Sequence, residues 1–150
     1  MPIAKDIMTQ NLITVKKDLP IKELSKIFIE HKINGIPVVD NNGKLIGIVT
    51  EEDLIDQNKN LHIPTVISLF DAVIYLESDK KFTDDVRKLT GTTVADIYTS
   101  KVITITPETT LNDCANLMAE KNIHSLPVLE NGALVGIVGK IDLIRGLAQE

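Results

Sequence analysis

Two stretches of this 150-residue chain carry the same series of short motifs in the same order. The first series begins with Asp-Ile-Met-Thr, continues through Ile-Asn-Gly-Ile-Pro-Val-Val-Asp and ends with Asp-Leu-Ile. The copies are offset by 90 residues up to Asp40 and by 89 from Asn42, so one residue has been lost between these positions. Because turns tolerate deletions better than strands or helices, the chain is expected to hold two copies of one fold. The matching segments are 6–9 and 96–99, 13–15 and 103–105, 33–40 and 123–130, and 42–49 and 131–138.

Local chemistry predicts the same order of elements within each copy. In the first copy, a β-branched run over 12–15 predicts a strand, and Pro20 suits the start of an amphipathic helix. Residues 35–39 form an apolar run before an Asn-Asn-Gly turn, residues 45–49 are expected to return antiparallel, and 50–57 to open a second helix. Units of about fifty residues seldom fold stably alone. We therefore predict an α+β fold in which two β-α-β-β-α repeats pack pseudo-symmetrically through their sheets, with an inserted helical linker.

The predicted organisation is repeat 1 over 1–55, a helical linker over 56–93 and repeat 2 over 94–150. Within the linker, residues 63–76 are almost wholly apolar and carry one thin polar stripe. Fourteen residues are too few to span a bilayer. Two interpretations stay open, namely a helix buried within the monomer and a surface for self-association. From the second interpretation we predict a homodimer.

The composition excludes several functional classes. Sixteen basic residues against 21 acidic ones argue against nucleic-acid binding, which needs a concentrated basic surface. The chain has a single cysteine, Cys114, and three histidines, so neither an intramolecular disulfide nor a typical zinc site is expected. No signal-peptide core follows the first residues, which predicts a cytoplasmic protein without a membrane segment. We also predict no enzymatic activity and no catalytic residues, because neither a nucleophile motif nor a P-loop or dinucleotide fingerprint is present.

Each copy resembles a CBS domain, the regulatory module named for cystathionine β-synthase, and the pair resembles a Bateman module. The motifs that carry the resemblance are Asp-Ile-Met-Thr, Gly-Ile-Pro-Val-Val-Asp and Gly-Ile-Val-Thr-Glu-Glu-Asp-Leu, together with their counterparts in the second copy. They cover residues 4–55 and 94–144, about two thirds of the chain. The resemblance implies a sensor for AMP, ADP, ATP, S-adenosylmethionine or a relative, with no other cofactor. It also implies dimers that form a flat disc of four domains, and an effector protein as a further partner.

No enzyme domain accompanies the two copies in these 150 residues, so the resemblance implies a stand-alone module. Two alternatives stay open beside the sensor. One is a structural or dimerisation module whose ligand sites have decayed, and the other, less favoured, is a nucleotide-processing enzyme.

The ribose-binding motif of the family is a Ser or Thr followed three residues later by Asp. It falls on Thr50 and Asp53, and again on Asp142, where Gly139 replaces the hydroxyl residue. A carboxylate can accept hydrogen bonds from both ribose hydroxyls, and a helix N-terminus with Thr50 or Lys140 beside it suits a phosphate. From the residues alone, a helix-capping box is the favoured explanation of the same pattern, and the family resemblance is what favours ligand binding. Because Gly139 has no hydroxyl, the Thr50 site is expected to depend more on a ligand phosphate.

The family also implies where adenine binds, between the first strand and the strand that carries the Pro-Val pair. An ordinary core strand is the alternative for these residues, and a surface or core histidine is the alternative for His124, which corresponds to a histidine near the family's ligand. Lys5, Lys16 and Lys101 are further candidate phosphate partners. The residues that form the two predicted walls by position are Thr14, Ile36, Pro37 and Val38, and Thr104, Leu126, Pro127 and Val128.

Overall fold

The same five elements occur in the same order in both halves of the computed structural model, which describes residues 2–60 and 92–149. The first half contains α1 (Ala4–Ile7), α2 (Ile21–His31), β1 (Gly35–Val39), β2 (Leu45–Thr50) and α3 (Glu51–Asn60). The second half contains α4 (Val94–Ile97), α5 (Leu111–Lys121), β3 (Ser125–Glu130), β4 (Ala133–Gly139) and α6 (Lys140–Ala148). The predicted helix over 63–76 lies outside the described residues.

Each half is built on an antiparallel hairpin, β1 with β2 and β3 with β4. The second hairpin turns through Asn131 and Gly132 alone, both at positive φ (52° and 82°), as a tight two-residue turn requires. The first turn is longer and places Gly43 at φ 81°. The residue that the second copy lacks is therefore a turn residue, and the strands keep their register.

The strand predicted over 12–15 is reduced to a single parallel bridge between Val15 and Val38. The Val15 N–H donates to the Pro37 carbonyl (3.1 Å), and the Val39 N–H donates to the Val15 carbonyl (2.9 Å). The next bond of a parallel ladder would need an N–H on Pro37, which proline does not have. The second half repeats this arrangement with Ile105 and Val128.

The short leading helices are exchanged between the halves. Ala4 and Ile7 of α1 are buried in the core formed by the second half, and Val94 of α4 is buried in the core of the first. The Ala4 N–H donates to the Thr109 carbonyl (2.7 Å), and the Val94 N–H donates to the Leu19 carbonyl (2.9 Å). Each sequence copy therefore completes the hydrophobic core of the other one.

The exchanged segments cross β2 and β4 closely, at a glycine in each strand. A Cβ atom on Gly47 would lie 2.6 Å from the carbonyl oxygen of Thr99 and against the ring of Tyr98. A Cβ atom on Gly136 would lie 2.5 Å from the Met8 sulfur. These glycines allow the segments to form backbone bridges to the hairpins, Thr99 with Ile48 and Thr9 with Ile137. None of the described helices is both long and apolar enough to cross a membrane.

Candidate functional site

Two clefts open where the halves meet in the described part of the chain. Cleft 1, of about 220 Å³, is lined by Thr50 and Glu52 of the first half and by Lys101, Ile103 and His124 of the second. Because the exchange brings α3 of one half beside the leading segment of the other, each cleft is shared by both repeats.

Cleft 2, of about 470 Å³, is the counterpart of cleft 1 with the roles of the halves reversed. The first half contributes Ile13, Lys32 and Pro37, among others. The start of α6 contributes Lys140 and Asp142. Asn34 and Ser125 line both clefts, so the two clefts lie back to back around the junction of the halves.

Asp53 occupies the third position of α3 and caps that helix. Its Oδ2 accepts the Thr50 N–H (2.8 Å), and its own N–H donates to Thr50 Oγ1 (3.2 Å). Its second oxygen, Oδ1, accepts the Thr99 hydroxyl (3.3 Å) from the other half. Burial raises the pKa of the Asp53 carboxyl, against the opposing effect of these hydrogen bonds. Capping engages one oxygen and leaves the other beside Thr99, which lines cleft 1.

Asp142 repeats this arrangement in α6, although Gly139, the residue before this helix, has no hydroxyl. Its Oδ2 accepts the Gly139 N–H (2.8 Å), because a backbone donor needs no side chain. Thr9 Oγ1 lies 3.3 Å from Oδ1, and Arg145 Nη1 lies 3.4 Å from the same oxygen. The residue is only 7% exposed, yet it lines cleft 2. In both halves, therefore, the aspartate that caps the helix is also the carboxylate next to a cleft.

Thr9 and Thr99 are site residues that the sequence analysis did not single out. Each donates its hydroxyl to the carboxylate of the opposite half, Thr9 to Asp142 and Thr99 to Asp53. A signal was present, since both threonines close the repeated Asp-Ile-Met-Thr and Asp-Ile-Tyr-Thr motifs. Which half they face depends on the exchange of the leading segments, and the repeat pattern does not reveal that exchange.

The four aliphatic residues predicted to face adenine belong to the two hydrophobic cores. Their side chains are fully buried and line neither cleft, because β1 and the centre of β3 are covered on both faces. Both prolines are fully buried, and of the two only Pro37 lies at the wall of a cleft, cleft 2. The four buried wall residues are Ile36, Val38, Leu126 and Val128.

Thr14 and Thr104 complete the two predicted walls. Both are exposed and line neither cleft, and Thr104 lies in a separate depression beside Asp113. Side chains alternate along an extended segment, so the burial of the following residue turns the threonine away from the core. The residues that line the clefts from these segments are Ile13 and Ile103, one position earlier.

Several of the predicted polar residues do lie in the clefts. His124 lines cleft 1, where its Nε2 lies 3.8 Å from Glu52 Oε1 across the junction of the halves. Lys140 lines cleft 2, and Lys101 lines cleft 1. Lys16 instead lies in an outer groove beside Asp18 and Asp40, and Lys5 lines neither cleft.

Two further cations in cleft 2, Lys32 and Arg145, were not predicted. Lys32 ends α2 in the left-handed conformation (φ 50°), and Arg145 lies beyond the repeated motif. Among residues 2–60 and 92–149, no group of three His, Cys, Asp or Glu side chains could hold a metal ion.

Comparison with protein families and curated proteins gives a consistent result. The CBS domain model matches residues 4–60 and 94–149. The uncharacterized protein MJ1426 of Methanocaldococcus jannaschii is 35% identical over 153 residues, which cover 97% of this chain and 90% of that protein. The chloroplastic CBS domain-containing protein CBSX2 of Arabidopsis thaliana is 30% identical over 155 residues. That match covers 96% of this chain but 63% of CBSX2, so the chain spans less than two thirds of this relative.

Solved structures share the arrangement of the two halves. CBSX2 in complex with AMP superposes with a TM-score of 0.73 at 28% identity, covering 99% of this chain and 98% of that one. The CBS domain pair of protein MJ0100, in complex with 5′-methylthioadenosine and S-adenosyl-L-methionine, gives a TM-score of 0.70 at 27% identity with the same coverage. With both halves matched by the family model and the fold shared along the whole chain, this protein belongs to the CBS domain family as a tandem pair.

Proposed function

We propose that this chain is a regulatory module that binds adenosyl ligands in the two clefts between its repeats. The observation that carries the proposal is a carboxylate fixed at a helix start next to each cleft, in a pocket completed by the other repeat. Asp142 lines cleft 2 directly, whereas Asp53 lines neither cleft and is hydrogen-bonded to Thr50 and Thr99 in the wall of cleft 1. In the ligand-bound relatives, CBSX2 holds AMP, and MJ0100 holds 5′-methylthioadenosine and S-adenosyl-L-methionine.

The chemistry of the clefts suits the parts of such a ligand. Ionised Asp53 or Asp142 can accept hydrogen bonds from the vicinal ribose hydroxyls, and the charge strengthens those bonds. The helix dipoles of α3 and α6 place their positive ends at the clefts, which favours a negatively charged phosphate. Ile13 in cleft 2 and Ile103 in cleft 1 offer apolar surface to a flat base.

A ligand in either cleft would contact both halves, which is why we propose a regulatory role. It can favour one arrangement of the halves only by binding that arrangement more tightly. The contact between His124 Nε2 and Glu52 Oε1 (3.8 Å) already joins the halves across cleft 1, so ligand binding there would compete with it or extend it. The ligand is then a signal rather than the cofactor of a reaction, and an effector protein would sense the arrangement. We place this module in the cytoplasm, where a single cysteine is expected to stay reduced.

Titration of single and double aspartate variants tests the proposal. A thermal-shift panel of adenosine, AMP, ATP and S-adenosylmethionine first identifies a ligand, and calorimetry then measures its affinity. Asp53→Ala and Asp142→Ala should each weaken one site tenfold or more, because a charge-assisted hydrogen bond contributes roughly 1.5–3 kcal/mol.

Asp96→Ala provides the matched control, since Asp96 caps α4 through the Thr93 N–H (2.9 Å), and neither Asp96 nor Thr93 lines a cleft. It should lower stability without changing affinity. Unchanged affinity in the Asp53→Ala/Asp142→Ala double variant would contradict the proposed binding site. A panel in which no adenosyl compound stabilises the protein would favour the alternative of a structural module.

A further inference from the structure

The two clefts carry different charges although they arise from one repeated fold. Cleft 2 is lined by three permanently charged cations, Lys32, Lys140 and Arg145, against the single carboxylate of Asp142. Cleft 1 is lined by Lys101 against Glu52, and Asp53 lies directly behind its wall. The first cleft is therefore close to neutral or acidic, and the second is cationic.

The cations of cleft 2 are also poorly compensated. Among the side chains described within 2–55 and 92–149, no carboxylate lies within ion-pair distance of Lys32 or Lys140, and Arg145 shares Asp142 with the Gly139 and Thr9 donors. In cleft 1, by contrast, Glu52 lies 3.8 Å from His124. Uncompensated cations in a concave site attract a multiply charged anion more strongly than the same charges on a flat surface do.

The difference in charge between the two clefts cannot come from the repeated fold, which both copies share. At the repeat offsets, Lys32 corresponds to Asn122, Lys140 to Glu51, and Arg145 to the acidic residue at position 56. Each cation of cleft 2 thus has a neutral or acidic counterpart in the other copy. Cleft 2 is also the larger of the two, at about 470 Å³ against about 220 Å³.

Building on the proposed function, we propose that the clefts divide the adenosyl ligands by charge. Cleft 2 selects adenine nucleotides with two or three phosphates, which Lys32, Lys140 and Arg145 contact, and cleft 1 favours adenosyl ligands with little or no negative charge. This assignment is the reverse of the one that the Thr50 hydroxyl alone predicts. The Thr50 hydroxyl carries no charge and can donate a single hydrogen bond to a phosphate, whereas Lys32, Lys140 and Arg145 bring three positive charges to cleft 2.

The experiment compares adenosine with ATP at each cleft by calorimetry, in buffer without divalent cations. Asp53→Ala leaves cleft 2 as the working site, and Asp142→Ala leaves cleft 1. In the Asp53→Ala background, ATP should bind about tenfold or more tightly than adenosine, a gain that declines as salt is added. In the Asp142→Ala background, the gain should be no more than about threefold. Adding Lys32→Gln and Lys140→Gln to the first background should remove most of the gain.

Lys22→Gln with Lys44→Gln removes the same charge from exposed positions outside both clefts, and this pair should leave the gain in place. The division by charge is overturned if ATP gains equally over adenosine at both clefts, or if the gain at cleft 2 survives the loss of Lys32 and Lys140. In either case, adenosine binding would still support the proposed function. If neither adenosine nor ATP binds in any background, the proposed function fails and this inference fails with it. Adenosine is uncharged, so its affinity in each variant reports whether the cleft itself has survived.

Discussion

The Asp53 carboxylate has to satisfy two demands at once. It caps α3 by accepting the Thr50 N–H, and it keeps an oxygen beside Thr99 at the wall of cleft 1. Partial burial removes water from the charged form and raises its pKa above the ordinary value of 3.8. The position therefore reduces stability at neutral pH, and a ligand that donates hydrogen bonds to the carboxylate would offset that loss.

The raised pKa predicts opposite pH dependences for stability and for binding. Between 3.8 and the folded-state pKa, the native protein holds more protons on Asp53 than the unfolded chain does, so this residue's contribution to stability falls as pH rises. Asp53→Asn cannot titrate. Chemical denaturation from about pH 3 to about pH 7 should show the free energy of unfolding of the wild type falling relative to this variant as pH rises.

Ligand affinity at cleft 1 should change in the opposite direction. Protonation removes the acceptor that the ribose hydroxyls need, so binding weakens as pH falls through the folded-state pKa. Adenosine suits this measurement because it has no phosphate to titrate.

A stability difference between wild type and Asp53→Asn that stays constant from about pH 3 to about pH 7 would contradict the raised pKa of Asp53 as the cause.

At the same scale, the sequence places Asp53 and Asp142 near the clefts through a local motif, but it does not decide which apolar side chains line them. Asp53 and Asp142 follow from a short motif whose geometry is local, because a helix start fixes its third residue relative to its cap. Adenine-facing side chains depend on which face of an extended segment points outward. A single parallel bridge at Val15 decides that face, and Thr14 then points away from the cleft.

Among the elements, β2 depends on a glycine where the exchanged segment crosses it. We predict that Gly47→Ala lowers the free energy of unfolding by about 1–3 kcal/mol, because the new methyl group meets the Thr99 carbonyl and the rigid Tyr98 ring. Since Thr99 must shift, affinity at cleft 1 should fall more than affinity at cleft 2. Urea denaturation and calorimetry measure the two effects.

Gly136→Ala is the matched variant in β4. Its methyl group meets the Met8 side chain, whose flexible thioether can rearrange, so the loss of stability should be smaller. An equal or larger loss for Gly136→Ala would show that the backbone contact at Gly47 is not the cause.

The exchange of α1 and α4 between the halves could not be predicted from the repeat pattern. Ile7 and Val94 of these helices are buried. The pattern does not say which core buries them, because both copies offer an equivalent surface. Contacts between residues distant in sequence decide which core each helix joins, such as the hydrogen bond from the Ala4 N–H to the Thr109 carbonyl.

At the scale of the whole molecule, apolar side chains remain exposed along one face of α6. Ile141, Ile144 and Leu147 lie three residues apart and are 64%, 54% and 53% exposed, and Ile55 is similarly exposed at the equivalent position of α3. A helix repeats about every 3.6 residues, so these side chains share one stripe. Contiguous exposed apolar surface on a folded protein usually marks an interface.

The homodimer predicted from residues 63–76 stays a prediction, because that segment lies outside the described residues. Its apolar side chains occur at almost every position, so packing on one side alone would leave several of them exposed. Phe70→Glu with Ile74→Glu tests the segment directly. If it forms the contact between two chains, light scattering should find a folded monomer, because charges at an interface block association without disturbing the cores.

A segment buried within one chain would give a different result, since the same two charges would then enter a core and unfold or aggregate the protein. Ile29→Glu supplies the control, because Ile29 is 77% exposed on α2 and should tolerate the charge in either case. Ile144→Glu with Leu147→Glu asks whether the α6 stripe belongs to the same contact. If it does, this pair also yields a folded monomer, and if it does not, the dimer persists. A wild-type protein that runs as a monomer at micromolar concentration would contradict the prediction before any variant is made, and both apolar faces would then need another partner.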